Sequence, residues 1–178
     1  MKKGTFTNSA GQVFKVSGIP PLLFDKMRLA QEKEWCDKGL KLPTIPTYIT
    51  DANEVVDWDH KSVMKDGTPE EKLEWSKYEE EVQDFETEFN LRRMNVCFMH
   101  IEEDPMKDAK WIKTMEYAHI PLPEDEHELK QLYGETCVLA GTGPAGDLMR
   151  LILTLQVESG YLDREVVDAF KNSFRNKV

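Results

Sequence analysis

A glycine-rich stretch near the C-terminus carries the strongest suggestion of chemistry in this sequence. Residues 141–146 read Gly-Thr-Gly-Pro-Ala-Gly and match the G-x-G-x-x-G pattern of dinucleotide-binding turns. Residues 137–140 are compatible with a preceding strand, and an apolar helix is predicted to follow. A Rossmann unit also needs a second parallel strand and an acidic residue about 20 positions on, whereas residues 161–178 predict one more helix. We therefore interpret the stretch as a joint before a helix, with Pro144 at the helix start.

A cysteine and a histidine form the best candidate metal pair. Cys97 and His100 lie three positions apart on a predicted helix, a spacing at which both side chains can reach one ion. Zinc sites use four protein ligands, or three and a water, and the other histidines and Cys137 are not spaced as a second pair. We interpret Cys97 as a small core residue and His100 as a histidine at a helix end.

Acidic runs at residues 102–104 and 124–126 are the remaining candidates for catalysis. Catalytic acid and base pairs are buried in environments that drive their pKa values apart. Both runs instead stand at predicted helix starts, where solvated carboxylates complement the helix dipole. The sequence also contains no G-x-S-x-G, no H-E-x-x-H and no phosphate-binding lysine loop. These patterns predict that the protein is not an enzyme and holds no cofactor and no metal.

The charge of the chain narrows its choice of partners. The formal net charge is −10, made up of +4 in residues 1–50 (eight Lys/Arg, four Asp/Glu) and −14 in the remainder (15 against 29). An acidic surface repels phosphate, so direct binding to nucleic acid is not expected. Such a surface suits solubility and a basic protein partner, and it is also compatible with an inhibitor that imitates DNA.

The cysteine spacing and hydropathy indicate a compartment. The three cysteines lie far apart with no close pair, and no apolar run follows the basic residues at the N-terminus. The most apolar window, residues 148–157, is short and contains Arg150. These features predict a cytoplasmic protein with reduced thiols and no membrane association.

A long helix over residues 68–100 organises the rest of the chain. Thr68, Pro69 and Glu71 form a capping box with proline at the first helical position. No glycine or proline interrupts the run, which predicts about 30 helical residues and a length of roughly 45 Å. Apolar residues recur at helical spacing along one face: Leu73, Tyr78, Val82, Phe85, Phe89, Val96 and Met99. The other faces are acidic, so the apolar face needs a covering surface.

The aromatic part of this helix is the candidate partner-binding site. It comprises Trp75, Tyr78, Val82, Phe85 and Phe89. Two interpretations stay open: the side chains pack as core against other helices of the chain, or they present a ridge to a partner helix. Trp75 lies off the strict stripe, which leaves its exposure open even in the core interpretation.

The remaining elements complete a mostly α fold with one long central helix and a small N-terminal β-hairpin, and α+β is the alternative. The hairpin is predicted over residues 5–16, with residues 8–11 as its turn. A helix follows to about Lys38, with Leu23, Met27 and Ala30 on one face. Three segments are expected within a single domain: residues 1–50, which end in a proline-rich extended part, an acidic loop at 51–67, and a helical region at 68–178. Residues 47–50 are compatible with a short edge strand, and Val56 and Trp58 in the loop with another.

Four shorter helices are predicted in the helical region. The predicted stretches are 105–118, 124–133 ending at Gly134, about 146–159 stopped at Gly160, and a last helix capped by Asp163.

The order of these pieces resembles the tail assembly chaperones and related small tail proteins of long-tailed bacteriophages and prophages. The likeness rests on the N-terminal β segment ending in residues 19–23 (Ile-Pro-Pro-Leu-Leu), the segment 43–46, and an acidic region leading into a helix with Trp75 and Tyr78. The closing residues 157–162, followed by Val166, Ala169 and Phe174, resemble the C-terminal helical pair of that group. The joint at residues 141–146 has no counterpart that we can place.

The resemblance implies a cytoplasmic factor that is absent from the finished phage particle. Such chaperones bind the apolar, helical tape measure protein, or another tail protein, and keep it soluble until the tail tube assembles. They use no cofactor, are often acidic and can self-associate. Two alternatives remain: a structural or connector component of the particle, and an acidic inhibitor that mimics nucleic acid.

We predict that the purified protein has no affinity for nucleotides or zinc, because the second strand and the second ligand pair are missing. Isothermal calorimetry with NAD, FAD, ATP and zinc should give no binding tighter than millimolar. Micromolar binding of any nucleotide would contradict the interpretation of residues 141–146 as a joint.

Overall fold

The computed structural model describes residues 3–20, 22–50, 52–139 and 144–163. The chain divides into two units. The terminal unit comprises residues 1–23 and 92–178, and the central unit comprises residues 24–91. This division differs from the three predicted segments, because residues that are distant in the chain pack together in the terminal unit.

The described residues form six α-helices and four short strands. In chain order they are β1 (Lys3–Thr7), β2 (Val13–Ser17), α1 (Leu23–Asp37), β3 (Thr47–Ile49), β4 (Val55–Asp57), α2 (His60–Asp66), α3 (Pro69–Met99), α4 (Ala109–Tyr117), α5 (Glu126–Tyr133) and α6 (Pro144–Glu158). A 3-10 turn, Pro105–Lys107, precedes α4, and a π-helical segment, Gly134–Val138, follows α5. The predicted fold class, mostly helical with a small N-terminal hairpin, is confirmed.

The N-terminal hairpin is the centre of the terminal unit. Its strands pair antiparallel from Lys3↔Ser17 to Thr7↔Val13, and period-two alternation buries Phe6, Phe14 and Val16 on one face. Helix α6 packs against β1. The other edge of β2 is also occupied, because the Ser17 N–H donates to the His100 carbonyl oxygen at 2.9 Å. The hairpin therefore joins the start of the chain to the end of α3.

The turn between β1 and β2 is held by a buried asparagine. The Asn8 side-chain oxygen accepts hydrogen bonds from the Ala10 and Gln12 N–H groups at 3.1 and 2.9 Å. Its amide nitrogen donates to the carbonyl oxygens of Cys137 and Val138 at 3.3 and 3.2 Å. An asparagine can fill these roles because its side chain has both an acceptor and donors. One side chain thus shapes the turn and binds it to the π-helical segment.

Ser9, the residue after Asn8, binds the first turn of α6. Asp147 is fully buried, and its carboxylate accepts hydrogen bonds from the Ser9 N–H at 2.9 Å and the Ser9 hydroxyl at 2.7 Å. Arg150, one turn further along the helix, forms an ion pair with the same carboxylate. A buried carboxylate is tolerated here because these partners, and its place in the first helical turn, stabilise its charge.

The segment after α5 differs from the prediction. Helix α5 ends at Tyr133 with Gly134 as its cap, as predicted, but Gly134 has helical φ and ψ of −58° and −49°, and the chain continues into the π-helical segment. Gly134 is needed for close packing, since a Cβ at this position would overlap the Phe98 ring. The predicted strand over residues 137–140 is also wrong, because residues up to Val138 belong to that segment. The dinucleotide pattern therefore lacks its preceding strand.

In the central unit, α1 packs on α3 through a face that the sequence pattern did not identify. The predicted face of Leu23, Met27 and Ala30 is wrong, since Ala30 is exposed and the other two are only half-buried. The buried residues of α1 are Gln31 and Trp35. The prediction counted only apolar residues and therefore left out Gln31. The predicted buried face of α1 consequently lies to one side of the observed face.

The start and stop signals of the helices are confirmed. At the start of α3 the Thr68 N–H donates to the Glu71 carboxylate at 2.7 Å, and the Glu71 N–H donates to the Thr68 hydroxyl oxygen at 3.2 Å. Gly39 and Gly160 end α1 and α6 with φ of 75° and 78°, where the absence of a Cβ allows the left-handed turn.

The segment 51–67 is more ordered than predicted. The acidic loop expected there is wrong for most of its length, because it contains β4 and α2. Asp59 caps α2 by accepting from the Ser62 N–H at 2.9 Å, and these contacts lower the pKa of Asp59. The acidic residues that the prediction assigned to a loop thus cap a helix or end a strand. The predicted last helix, after Asp163, and residues 141–143 lie outside the described residues.

Two glycine substitutions test the packing of the terminal unit. We expect Gly134→Ala to destabilise the protein by about 1–3 kcal/mol, because its methyl group overlaps the Phe98 ring. Gly146→Ala is the matched control: Gly146 is also helical, and among the described residues no atom outside its own helical backbone lies within 4 Å of the position that a Cβ would take, so alanine should stabilise by about 0.4–1 kcal/mol. Urea unfolding of both variants measures the difference, and equal effects would contradict the close contact.

Candidate partner-binding surface

The structure buries the aromatic stripe of α3 unevenly. Trp75, Phe85 and Phe89 are 7%, 4% and 6% exposed, whereas Tyr78 and Val82 are half-buried. The core interpretation therefore holds for the three buried side chains. Trp75 is buried although it lies off the strict stripe. Of the five candidate residues, only the half-buried Tyr78 and Val82 remain accessible as part of a ridge on this helix.

Helix α1 covers the middle of the stripe. The Trp35 and Phe85 rings meet edge to face with centroids 4.9 Å apart, a preferred geometry for aromatic pairs. The Gln31 amide donates to the Phe85 carbonyl oxygen at 2.8 Å. The Arg28 guanidinium lies 5.4 Å from the Phe85 centroid and 5.5 Å from that of Phe89, within cation–π range.

Helix α2 covers the beginning of the stripe. The His60 ring lies over Trp75 with centroids 5.5 Å apart, and the Trp75 indole N–H donates to the Glu79 carboxylate at 2.7 Å. Tyr78 meets Trp75 at 5.4 Å. The sequence pattern assigned α2 to a loop, so it offered no local element to cover Trp75.

The most exposed apolar side chains of the central unit lie elsewhere, on the hairpin β3–β4. Ile49 and Val55 are 69% and 70% exposed, and Tyr48 is 48% exposed. Sequence reasoning raised short strands here but did not pair them. The sequence did contain a signal for a hairpin, because β-branched residues flank residues 50–54 and asparagine favours turns. In the structure Asn53 adopts a positive φ of 59°. The central unit thus offers two candidate partner-binding surfaces, this hairpin and the half-buried pair Tyr78 and Val82 on α3.

We interpret the candidate metal pair, Cys97 and His100, as a core residue and a helix-end residue, and the two side chains lie in different environments. Cys97 is fully buried, and burial raises the pKa of its thiol to about 12, so the thiol stays protonated near neutral pH. His100 is half-buried, and its ring nitrogen lies 3.3 Å from the Ser17 hydroxyl. Burial, with the Lys130 ammonium in the same direction, lowers the pKa of His100. Within the described residues no group of three or more His, Cys, Asp or Glu residues can hold a metal ion.

A second polar cluster in the terminal unit surrounds Tyr133. The Tyr133 hydroxyl donates to the Asp108 carboxylate at 3.2 Å, and Asp108 also caps α4 by accepting from the Trp111 N–H at 2.9 Å. Burial, reinforced by Cys137 and Asp108, raises the pKa of Tyr133, and burial also raises that of Cys137. Groups held in their neutral forms in this way do not provide a nucleophile at neutral pH.

An open groove of about 920 Å³ lies beside β1. It is lined by residues of both charges, Lys3, Lys15, Glu102, Glu158 and Asp163, together with main chain and apolar groups. Lys3 pairs with Glu102 at 3.1 Å. The groove's two lysines and three carboxylates leave its charge close to neutral.

Comparisons with known proteins add no relative, because no family model, no curated protein and no solved structure matches this chain. Among the helices of the described residues, none is both long and apolar enough to cross a membrane.

Two substitutions on α3 separate buried from exposed positions. We expect Phe85→Ala to destabilise the protein by about 3–5 kcal/mol, because it empties the site between Trp35 and Arg28. Glu80→Ala, on the exposed acidic side of the same helix, should change stability by less than about 0.5 kcal/mol. Chemical denaturation measures both. Equal, small effects would mean that the stripe is not core.

Proposed function

We propose that this protein is a phage tail assembly chaperone that binds an apolar segment of the tape measure protein and keeps it soluble in the bacterial cytoplasm. The observation that carries the proposal is the pairing of exposed apolar side chains with an acidic surface. The ordered resemblance of residues 19–23, 43–46 and 157–162 to such chaperones supports the same function.

The exposed apolar residues supply the binding energy in this proposal. A partner helix would contact the half-buried Tyr78 and Val82 on α3, and recognition of this kind gains its affinity from buried apolar anchors. Trp75, Phe85 and Phe89 act indirectly, because their packing against α1 and α2 holds the half-buried pair in place. No catalytic step is involved.

The acidic residues keep the complex soluble. Glu79, Glu80 and Glu81 are exposed beside the stripe, and the whole chain has a formal net charge of −10. Like charge between complexes opposes aggregation. Steering of a basic partner by these carboxylates would weaken as salt is added, whereas the apolar contact would not.

Co-expression with the tape measure protein of the same phage genome tests the proposal. We expect the partner to be soluble with this chain and to pellet without it, at low and at high salt. Tyr78→Ala should reduce the soluble fraction because it removes an apolar anchor. Lys77→Ala, at the exposed neighbouring position, is the matched control and should not.

Three results would overturn the proposal. The tape measure protein could stay insoluble in the presence of this chain, or it could be equally soluble without it. Recovery of this protein in stoichiometric amounts from purified phage particles would favour the alternative of a structural or connector component.

A further inference from the structure

We propose that the hairpin β3–β4 is a docking site at which an extended, apolar and basic segment of another protein adds as a third strand along β4. The surface is separate from the Tyr78 and Val82 ridge. The inference does not depend on the tail-assembly proposal, because it rests on the geometry and charge of the hairpin alone.

The hydrogen-bond pattern of the hairpin defines its free edges. The Thr50 N–H donates to the Glu54 carbonyl oxygen at 2.9 Å, and the Trp58 N–H donates to that of Pro46 at 2.8 Å. Hydrogen-bonded and non-bonded residue pairs alternate along an antiparallel ladder. The pair midway between these two, Tyr48↔Val56, is therefore also hydrogen-bonded, and its main-chain groups point into the hairpin.

The residues between the bonded pairs point their main-chain groups outward. On β4 these are Val55 and Asp57, which pair with Ile49 and Thr47 of β3. Within the described residues, no main-chain hydrogen bond joins Val55 or Asp57 to a segment outside the hairpin. Their N–H and C=O groups form the row that a third strand requires.

One face of the hairpin offers an apolar pair to the incoming strand. Ile49 and Val55 stand directly opposite each other in a non-bonded pair, the position at which cross-strand side chains come closest. They are 69% and 70% exposed. This exposure leaves both side chains available to a side chain of the partner.

The charges around the hairpin select a basic occupant and place it on β4. Residues 47–59 contain four acidic residues and no lysine or arginine. Of these, Glu54, Asp57 and Asp59 lie beside or within β4 and are exposed, whereas β3 carries no charge. A second copy of the chain would bring two such acidic edges together, and like charges on adjacent strands are unfavourable.

The short length of the hairpin is consistent with a third strand. Each strand has three residues, and isolated two-stranded hairpins are marginally stable in water. An added strand supplies main-chain bonds and covers the apolar pair. The partner segment therefore has lysine or arginine alternating with β-branched residues, so that its apolar side chains meet Ile49 and Val55 while its cations reach the carboxylates.

The probe is a synthetic heptapeptide that alternates lysine with valine and carries blocked ends. We expect saturable binding by NMR titration of the full chain. Amide exchange should slow at Val55 and Asp57, whose N–H groups point outward, and change little at Tyr48 and Val56, whose N–H groups are already bonded. The same peptide N-methylated at alternate amides should not bind, because it cannot form the strand bonds.

Protein variants separate strand addition from general attraction between opposite charges. Val55→Lys should weaken peptide binding by about tenfold or more, because it removes the central apolar contact and adds a like charge. Leu29→Lys on α1 is the matched control, since Leu29 is also an exposed apolar residue, at 64%, and it should leave binding unchanged. A double variant, Glu54→Lys with Asp57→Lys, should lose the lysine peptide and bind one with glutamate in place of lysine.

Four outcomes would overturn the proposal. They are no saturable binding, equal loss in Val55→Lys and Leu29→Lys, binding of the N-methylated peptide, and protection at Thr47 and Ile49 in place of Val55 and Asp57. Since none of these measurements involves the tape measure protein, they leave the tail-assembly proposal to its own test.

Discussion

The constraint on which this structure depends is that a helix of 31 residues must have its apolar positions covered along its length. An isolated helix gains little from its own hydrogen bonds, so tertiary packing supplies most of its stability. In the central unit, α1 and α2 cover Trp75, Phe85 and Phe89. In the terminal unit the last residues of α3, including Cys97 and Phe98, are buried by other segments. One helix therefore belongs to two packing units.

The terminal unit shows how polar groups join distant parts of the chain. Asn8 and Ser9, adjacent in the hairpin turn, bind the π-helical segment and α6 respectively. Hydrophobic burial is non-directional, whereas these hydrogen bonds require one arrangement of turn and helix. The cost of leaving buried amide or carboxylate groups without partners makes the arrangement specific, and it explains why a two-stranded hairpin can organise residues more than a hundred positions away.

The proposed functions follow from what the folded chain leaves uncovered. Phe85 and Phe89 are occupied by core packing, so they cannot also bind a partner directly. The hairpin β3–β4 and the half-buried Tyr78 and Val82 remain apolar and accessible on a strongly acidic chain. Such a chain combines apolar positions that can bind a partner with acidic residues that oppose aggregation. Both properties are physical requirements for holding another apolar protein in solution.

Local signals in the sequence determined most of the helices, though not α2, and the first hairpin. The capping box at Thr68 and Glu71, the glycine stops at Gly39 and Gly160, and the alternation around Phe6 and Phe14 depend on neighbouring residues alone. Only the tertiary structure decided what those elements contact. Trp75 is buried by a helix that reads as an acidic loop. Gly134 not only caps α5 but also leaves room for the Phe98 ring. Gln31 is buried because the Phe85 carbonyl oxygen, 54 positions away, accepts a hydrogen bond from its amide. These outcomes depend on partners distant in the chain, which neither periodicity nor spacing encodes.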